Sequence, residues 1–303
     1  MALFDAYAMV DWSSEARPKR GKDSIWIAIF EREPAGLVEK LLVNAPTRHA
    51  AVRIILSRLA ELAARGLTAL IGFDFAFAYP AGFARALDPQ KADWLGVWWR
   101  LSRLIEDEDN NANNRFDVAA HINSAMTGGA APFWGCHRSR VGRFLHATAP
   151  ATPPFASHRL CETRAKGAQS TWKLSYPGSV GSQTLLGIPC LLALRRSREL
   201  AERLRIWPFE TGLRSLQRGR DGEIVLAEIW PGIAPDTGTD HPIRDARQVR
   251  SWAKEYARLD EAGRLAELFA GDPSLTEAER KSVEREEGWI LGVTKAQSNE
   301  GAA

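Results

Sequence analysis

The sequence predicts an α/β protein built around one mixed sheet. Three segments with the composition of strands follow one another at residues 6–11, 24–31 and 36–43, joined by short polar loops. Apolar residues at helical spacing then occupy 46–66, and a further apolar strand occupies 67–73. This β-β-β-α-β order predicts an antiparallel meander, followed by a helix that crosses over so that the fourth strand lies parallel to the first.

Each of these elements has its own sequence signal. The first strand, YAMVD, is apolar and ends on Asp11, and the polar, basic loop at 13–23 predicts a hairpin connection. The helix shows apolar residues at spacings of three and four and stops near Gly66, a residue type that commonly follows a helix. The fourth strand is apolar on both faces, which indicates a central position in the sheet.

The whole chain is predicted to divide into four parts. Residues 1–80 form the first part of the core, and residues 81–204, which have irregular polar and Gly-rich stretches, form an insertion that caps the edge of the sheet. Residues 205–297 complete the core and supply a helical C-terminus. The tail at 298–303 is expected to be disordered.

Three later elements matter for the site. Strands are predicted at 204–210 and 223–230, with a turn signal between them. The last helix is predicted at 274–293, with Ser274 as its N-cap and Glu277 completing a capping box.

Composition narrows the possible functions. The 303 residues carry a net charge of +3, with 45% hydrophobic and 25% charged residues, which is the balance of a globular protein. So small a charge argues against a strongly basic nucleic-acid-binding protein but allows a local basic patch. The three cysteines are far apart and form no C-x-x-C pair, so neither a zinc site nor a disulfide framework is predicted, and a cytoplasmic location is expected. Neither a secretion signal nor a membrane-spanning helix is predicted.

Acidic residues at strand ends predict metal-dependent chemistry. Asp11, Asp74 and Glu228 each lie in or directly after an apolar strand, where an unpaired carboxylate is costly. Glu287 lies among apolar residues of the last predicted helix. Carboxylates gathered from separate elements repel one another unless a cation neutralises them, and all-oxygen ligands suit Mg²⁺ or Mn²⁺. Two such ions about 4 Å apart can activate water and stabilise the leaving oxygen in phosphodiester hydrolysis.

Simpler roles are open for each of these acids. The two aspartates are alternatively strand-end residues that cap a turn. Glu228 alternatively forms a structural ion pair with an arginine, and Glu210 in WPFE is an alternative to it as a site residue. Glu287 is alternatively a solvated helix residue, and Glu286 is an alternative to it.

Four short motifs resemble a bacterial and archaeal family of unknown function whose members are described as predicted ribonuclease H-like nucleases. The motifs are VDW at 10–12, GFDFAFAYP at 72–80, EIWPG at 228–232 and EEGWILGV at 286–293. Intervening segments such as KGAQSTWKL are similar to a long-form subgroup of that family. Two features depart from the family pattern: DWSSEARPKRG replaces a Gly-rich signature after the first Asp, and the late-helix acid is Glu rather than Asp.

The resemblance implies a ribonuclease H-like mixed sheet, with strands 1–3 antiparallel and strands 4 and 5 parallel to strand 1. It also implies a metal-dependent nuclease or phosphodiesterase in which Asp11, Asp74 and Glu228 bind the ions and Glu287 binds an ion or positions water. One alternative is a protein that binds a nucleotide or another phosphorylated ligand without catalysis. A second is a role in cofactor biosynthesis of the molybdopterin-guanine dinucleotide type, a label that similar sequences carry but that no motif here supports.

Basic and aromatic residues are candidates for substrate binding. Arg17 and Lys19 lie in the loop after the first strand, where they could hold phosphate, although such loops are usually just solvated. Trp172 and Lys173 lie in the basic middle segment, where stacking on a base would suit single-stranded nucleic acid. The simpler interpretation of that segment is a lid with a charged exterior.

Overall fold

Six strands form one mixed sheet in a computed structural model that describes residues 2–176, 179–234 and 238–294. The order across the sheet is β3-β2-β1-β4-β6-β5. The strands are β1 Ala6–Asp11, β2 Ile25–Glu33, β3 Gly36–Ala45, β4 Ala69–Phe73, β5 Leu204–Ile206 and β6 Ile224–Glu228. The first three strands pair antiparallel, whereas β4 is parallel to β1, and β6 is parallel to both β4 and β5. The predicted α/β class with a mixed sheet is therefore confirmed.

Helices connect and cover these strands. The helices are α1 Arg48–Ala64, α2 Phe83–Leu87, α3 Trp94–Leu104, α4 Arg115–Thr127, α5 Gly181–Arg196, α6 Arg244–Glu261, α7 Leu265–Leu268 and α8 Glu277–Ser282. Helices α2 to α5 all lie between β4 and β5 in the chain, within the segment predicted as an insertion. Within the described ranges, no helix combines the length and apolarity needed to cross a membrane.

Side chains alternate between two cores, one on each face of the sheet. On β1, Ala8 and Val10 belong to the core that α1 and α5 cover, while Tyr7 and Met9 belong to the core that α6 covers. The same alternation continues along β4 and β6, because successive strand residues point to opposite faces. This alternation decides which of the strand-end acids lie on the same face.

Helix α6 is attached to the start of the chain by a buried aspartate. Asp260, near the end of the helix, accepts hydrogen bonds from the backbone amides of Leu3 and Phe4 at 2.8 and 2.9 Å and from the Tyr7 hydroxyl at 2.6 Å. The side chain of Asp260 satisfies three donors that would otherwise be buried without partners. The contact sets the position of α6 across β1, and so the position of its first turn near the end of that strand.

Helix α5 approaches the chain after β4 so closely that one of its positions has room only for glycine. A Cβ added at Gly187 would lie 2.2 Å from the nearest carbon of the Phe75 ring. We therefore expect Gly187→Ala to lower the free energy of unfolding by about 1–3 kcal/mol, because overpacking outweighs the better helix propensity of alanine. Urea denaturation would measure the change. A more stable variant would show that α5 can shift away from Phe75.

The end of the chain differs from its predicted form in two respects. The capping box is formed by Thr276 and Glu279, so the prediction of Ser274 and Glu277 is wrong. After α8, the chain makes one π-helical turn at Val283–Glu287 and stops at Gly288, whose φ is +69°. The predicted helix to residue 293 is therefore too long, because a left-handed residue ends it. The predicted disordered tail at 298–303 lies outside the described residues.

Candidate active site

A polar cleft of about 780 Å³ opens at the carboxyl ends of β1, β4 and β6. Parallel strands of open α/β sheets commonly place their ligands at this edge. Side chains from the sheet edge, from the loop after β1 and from helices α4, α5 and α6 line the cleft. Those with charged or polar groups include Asp11, Asp74, Asp245, Arg115, His137 and Gln183.

Asp11 and Asp74 meet at the base of this cleft. Val10 of β1 lies opposite Phe73 of β4 in the parallel register, so the next residue on each chain is an aspartate, and both point to the face that α6 covers. The two carboxyl groups lie close enough for each to act on the pKa of the other. One oxygen of Asp74 also accepts from the backbone amide of Trp12 at 2.8 Å. The structure thus brings together two predicted site residues that are 63 positions apart.

The environment of this pair favours a bound proton. Burial raises the pKa of Asp74 to about 7, a rise to which Asp245 contributes and which the Trp12 amide opposes. Burial also raises the pKa of Asp11, and the negative charges of Asp74, Asp245 and Asp23 add to this effect. Without a cation, Asp74 therefore keeps its proton up to about neutral pH, because burial and the nearby charge of Asp245 make its carboxylate costly to ionise.

Asp245 is an acid of this site that the sequence analysis did not identify. It lies in the first turn of α6, lines the cleft, and accepts a hydrogen bond from the backbone amide of Asp23 at 2.6 Å. In the sequence it resembles any first-turn acid that complements a helix dipole. Its place in the site follows only from the packing of α6 on the face of the sheet on which Asp11 lies, and the sequence carries no sign of that packing.

Glu228 lines the same cleft, but both of its carboxylate oxygens are hydrogen-bonded to an arginine. Its two oxygens accept from Arg159 at 2.5 and 2.8 Å, and one of them also accepts from the Phe77 amide at 3.1 Å. In the strand register Glu228 lies opposite Phe73, one residue before the position level with Asp74, so its side chain leaves the sheet on the other face. Burial raises the pKa of Glu228, and Arg159 opposes that rise. This geometry matches the structural ion pair considered as the alternative.

The other candidate acids bind backbone amides or an arginine. Glu287 accepts from the amides of Ala81 and Leu160 at 3.2 and 2.7 Å, and Glu286 accepts from the Ala84 amide at 2.8 Å. Both therefore join the end of the chain to the segment that follows β4. Glu210 pairs with Arg195 at 2.7 Å. None of these three carboxylates lines the cleft.

The four residues predicted to bind substrate lie outside the lining of the cleft. Arg17 is exposed, and Lys19 pairs with Glu15 at 2.7 Å. Trp172 is buried and stacks on Tyr79 with ring centroids 4.9 Å apart, so its faces belong to an aromatic core. Lys173 donates to the Gln169 side chain at 3.1 Å. The position of Trp172 therefore does not support the prediction that a base stacks on it.

The chemistry of the acid pair suits one divalent cation. Among the described residues, no three Asp, Glu, His or Cys side chains are arranged to hold an ion together. Mg²⁺ commonly binds through one or two carboxylates and completes its shell with water and phosphate oxygens. Asp11 and Asp74 fit that pattern, and a cation would also offset the burial and the neighbouring negative charges that raise their pKa values. The arrangement with a second ion on Glu228 fits less well, because Arg159 already occupies that carboxylate.

Comparisons with known proteins supply no relative from which a role could be transferred. No protein-family model matches the sequence, and no match was found among curated proteins or solved structures. The interpretation of the cleft therefore depends on its geometry and on the chemistry of its side chains.

Proposed function

We propose that this protein is a divalent-metal-dependent phosphodiester hydrolase of the ribonuclease H-like class, with Asp11 and Asp74 as its metal ligands. The observation that carries the proposal is the pair of neighbouring carboxyl groups at the base of a cleft of about 780 Å³. The strand order supports the class, since a β-β-β-α-β unit with an acid at the end of strands one and four is the pattern that the motifs imply.

A bound Mg²⁺ or Mn²⁺ would lower the pKa of a coordinated water and withdraw charge from a phosphoryl oxygen. The protein itself supplies a rigid base for that chemistry. The Trp12 amide orients the Asp74 carboxylate at 2.8 Å, and Gln183 of α5 donates to the Trp12 carbonyl at 2.6 Å. Fixed ligand geometry of this kind is what metal-dependent hydrolysis requires.

Metal binding provides the direct test of the proposal. We expect calorimetry to detect Mn²⁺ binding to the wild type at pH 7.5, and we expect Asp74→Asn to weaken it at least about tenfold, because even outer-shell changes cost that much. Asp117→Asn is the matched control, since Asp117 is a mostly exposed acid of α4 outside the cleft. Equal affinities of the wild type and Asp74→Asn would refute the metal site.

Catalysis is tested separately from binding. The wild type with Mn²⁺ should hydrolyse members of a panel that contains dinucleotides and single-stranded, duplex and hybrid nucleic acids. Chelation of the metal should abolish turnover. A protein that binds Mn²⁺ but hydrolyses none of these substrates would not be the proposed hydrolase.

A second candidate function is the binding of a phosphorylated ligand without hydrolysis. It is favoured by the ion pair between Glu228 and Arg159, which leaves only two of the three predicted ligands, Asp11 and Asp74, for an ion. The same panel separates the two functions, because a binding protein would retain its ligands unchanged.

A further inference from the structure

We propose that Arg115 binds a phosphate group of the substrate that is separate from the phosphate held at the acid pair. The proposal assigns a substrate class, a small phosphodiester that carries a second phosphate group, such as a dinucleotide with a terminal phosphate. This inference rests on the proposed function in one respect only, namely that the bond to be hydrolysed lies beside Asp11 and Asp74.

Arg115 is held in the cleft by neutral partners. Its Nε donates to the Ser182 hydroxyl at 2.9 Å, and its Nη1 donates to the side-chain oxygen Oδ1 of Asn113 at 2.7 Å. Arg115 lines the cleft and is partly buried. Across the described ranges, no carboxylate lies within 4.0 Å of the Arg115 guanidinium. A fixed guanidinium that retains unused donors is suited to an anionic ligand.

The acids nearest to Arg115 are already paired with other cations. Arg48 donates two hydrogen bonds to the Asp107 carboxylate, at 2.5 and 2.6 Å. Glu15 pairs with Lys19 at 2.7 Å. Arg140 lies on the same side, since its guanidinium and that of Arg115 both contact the ring of Phe116. Arg140 itself pairs with Asp117 at 3.8 Å, so Arg115 is the member of this group of described residues whose charge is not balanced by an acid within 4.0 Å.

The neighbouring cations have an electrostatic consequence at Arg115. Burial, together with the charges of Arg48 and Arg140, lowers the pKa of Arg115 to about 10. A phosphate group placed beside the guanidinium would reverse this effect, because an opposite charge favours the ionised form. The position of the Arg115 guanidinium thus destabilises the ligand-free protein, and a bound anion would remove this cost.

Contacts through the start of α5 connect Arg115 with the acid pair. Ser182 accepts from Arg115, the next residue Gln183 donates to the Trp12 carbonyl, and the Trp12 amide donates to Asp74. The two charged positions therefore lie in one cleft, a few side chains apart. A volume of about 780 Å³ is in the range of small-molecule sites, roughly 300–1,000 Å³. A ligand with phosphate groups at both positions would therefore occupy this single cleft.

Calorimetry with inorganic pyrophosphate in buffer free of divalent metal tests the assignment. We expect Arg115→Met to weaken pyrophosphate binding about tenfold or more, the usual consequence of losing a charged hydrogen-bonding partner. Arg115→Lys should retain part of the affinity, because it keeps the charge but loses the fork. Arg143→Met is the matched control, since Arg143 is an exposed arginine of the same segment outside the cleft.

Asp74→Asn separates this inference from the proposed function. We expect it to bind pyrophosphate at least as tightly as the wild type, whether or not the protein hydrolyses phosphodiesters. Unchanged affinity in Arg115→Met, with a circular dichroism spectrum like that of the wild type, would overturn the assignment. A wild type that fails to bind pyrophosphate at millimolar concentration would overturn it as well.

Discussion

Asp74→Asn should reduce metal-dependent hydrolysis by about 100-fold or more and, at the same time, make the metal-free protein more stable above pH 7. The loss of activity follows from the removal of one of two carboxylate ligands, a larger change than the outer-shell substitutions that already cost about 10- to 100-fold. The gain in stability follows because asparagine replaces a buried carboxyl group whose ionisation burial and the charge of Asp245 make costly.

The pH dependence of this gain has a definite sign. The pKa of Asp74 is about 7 in the folded protein and near 3.8 in the unfolded chain, so the folded state binds the extra proton between these values. Stability supplied by this proton is complete below about pH 4 and is lost as the pH rises toward 7. Each pH unit in that window is worth at most about 1.4 kcal/mol, and because the pair keeps some contact with water we expect a total near 2 kcal/mol.

Urea denaturation of the metal-free wild type and Asp74→Asn at pH 4.5 and pH 8 would measure this difference. The variant should lose less stability between the two pH values, and Mn²⁺ should stabilise the wild type at pH 8 more than the variant. Asp117→Asn should behave like the wild type. Parallel pH profiles for the wild type and Asp74→Asn would show that the two aspartates do not share a proton.

Arg159→Met should lower the free energy of unfolding by about 3–5 kcal/mol, the cost of removing one partner from a buried ion pair. Arg159 is 1% exposed and contacts Glu162, both oxygens of Glu228 and the backbone carbonyl of Glu287. Without the guanidinium, two buried carboxylates lose their cation. The guanidinium also joins the cap segment to the end of β6, so we expect its loss to loosen the cleft.

A double-mutant cycle with Glu228→Gln assigns the role of Glu228. If the glutamate is a structural partner of Arg159, the double variant should lose clearly less stability than the sum of the two single variants. Mn²⁺ affinity should change little in a folded Glu228→Gln protein. Additive stability losses together with a complete loss of Mn²⁺ binding would instead make Glu228 a metal ligand.

The acid pair could be predicted from the sequence because its position depends on local strand and helix patterns and on the rule that a helical crossover makes two strands parallel. Two apolar strands each end on an aspartate, and a helix between them makes the strands parallel, so Asp11 and Asp74 are brought to the same edge of the sheet. The mixed sheet followed from the same patterns.

The remaining acids could not be assigned in this way because their partners are distant in the chain. Glu228 finds Arg159 in a segment whose course has no periodic signal, and Asp245 reaches the site through the docking of α6. Helix α4, which carries Arg115, was missed because its sequence has no apolar stripe: its buried residues include Phe116, Val118 and Asn123.

The alignment of β4 with β1 determines whether this protein has an acid pair at all. If β4 slipped by one residue, Phe73 or Phe75 would replace Asp74 beside Asp11, and the Asp74 carboxylate would turn into the apolar layer under α1. Both strands are buried on both faces, so close packing resists such a slip: a Cβ at Gly72 would lie 2.7 Å from Ile229 and 2.8 Å from Met9. The packing of the core thus keeps the two acids together although their burial disfavours ionisation. A single-residue insertion within β4 is therefore equivalent to deleting the site, although it removes no acid from the chain.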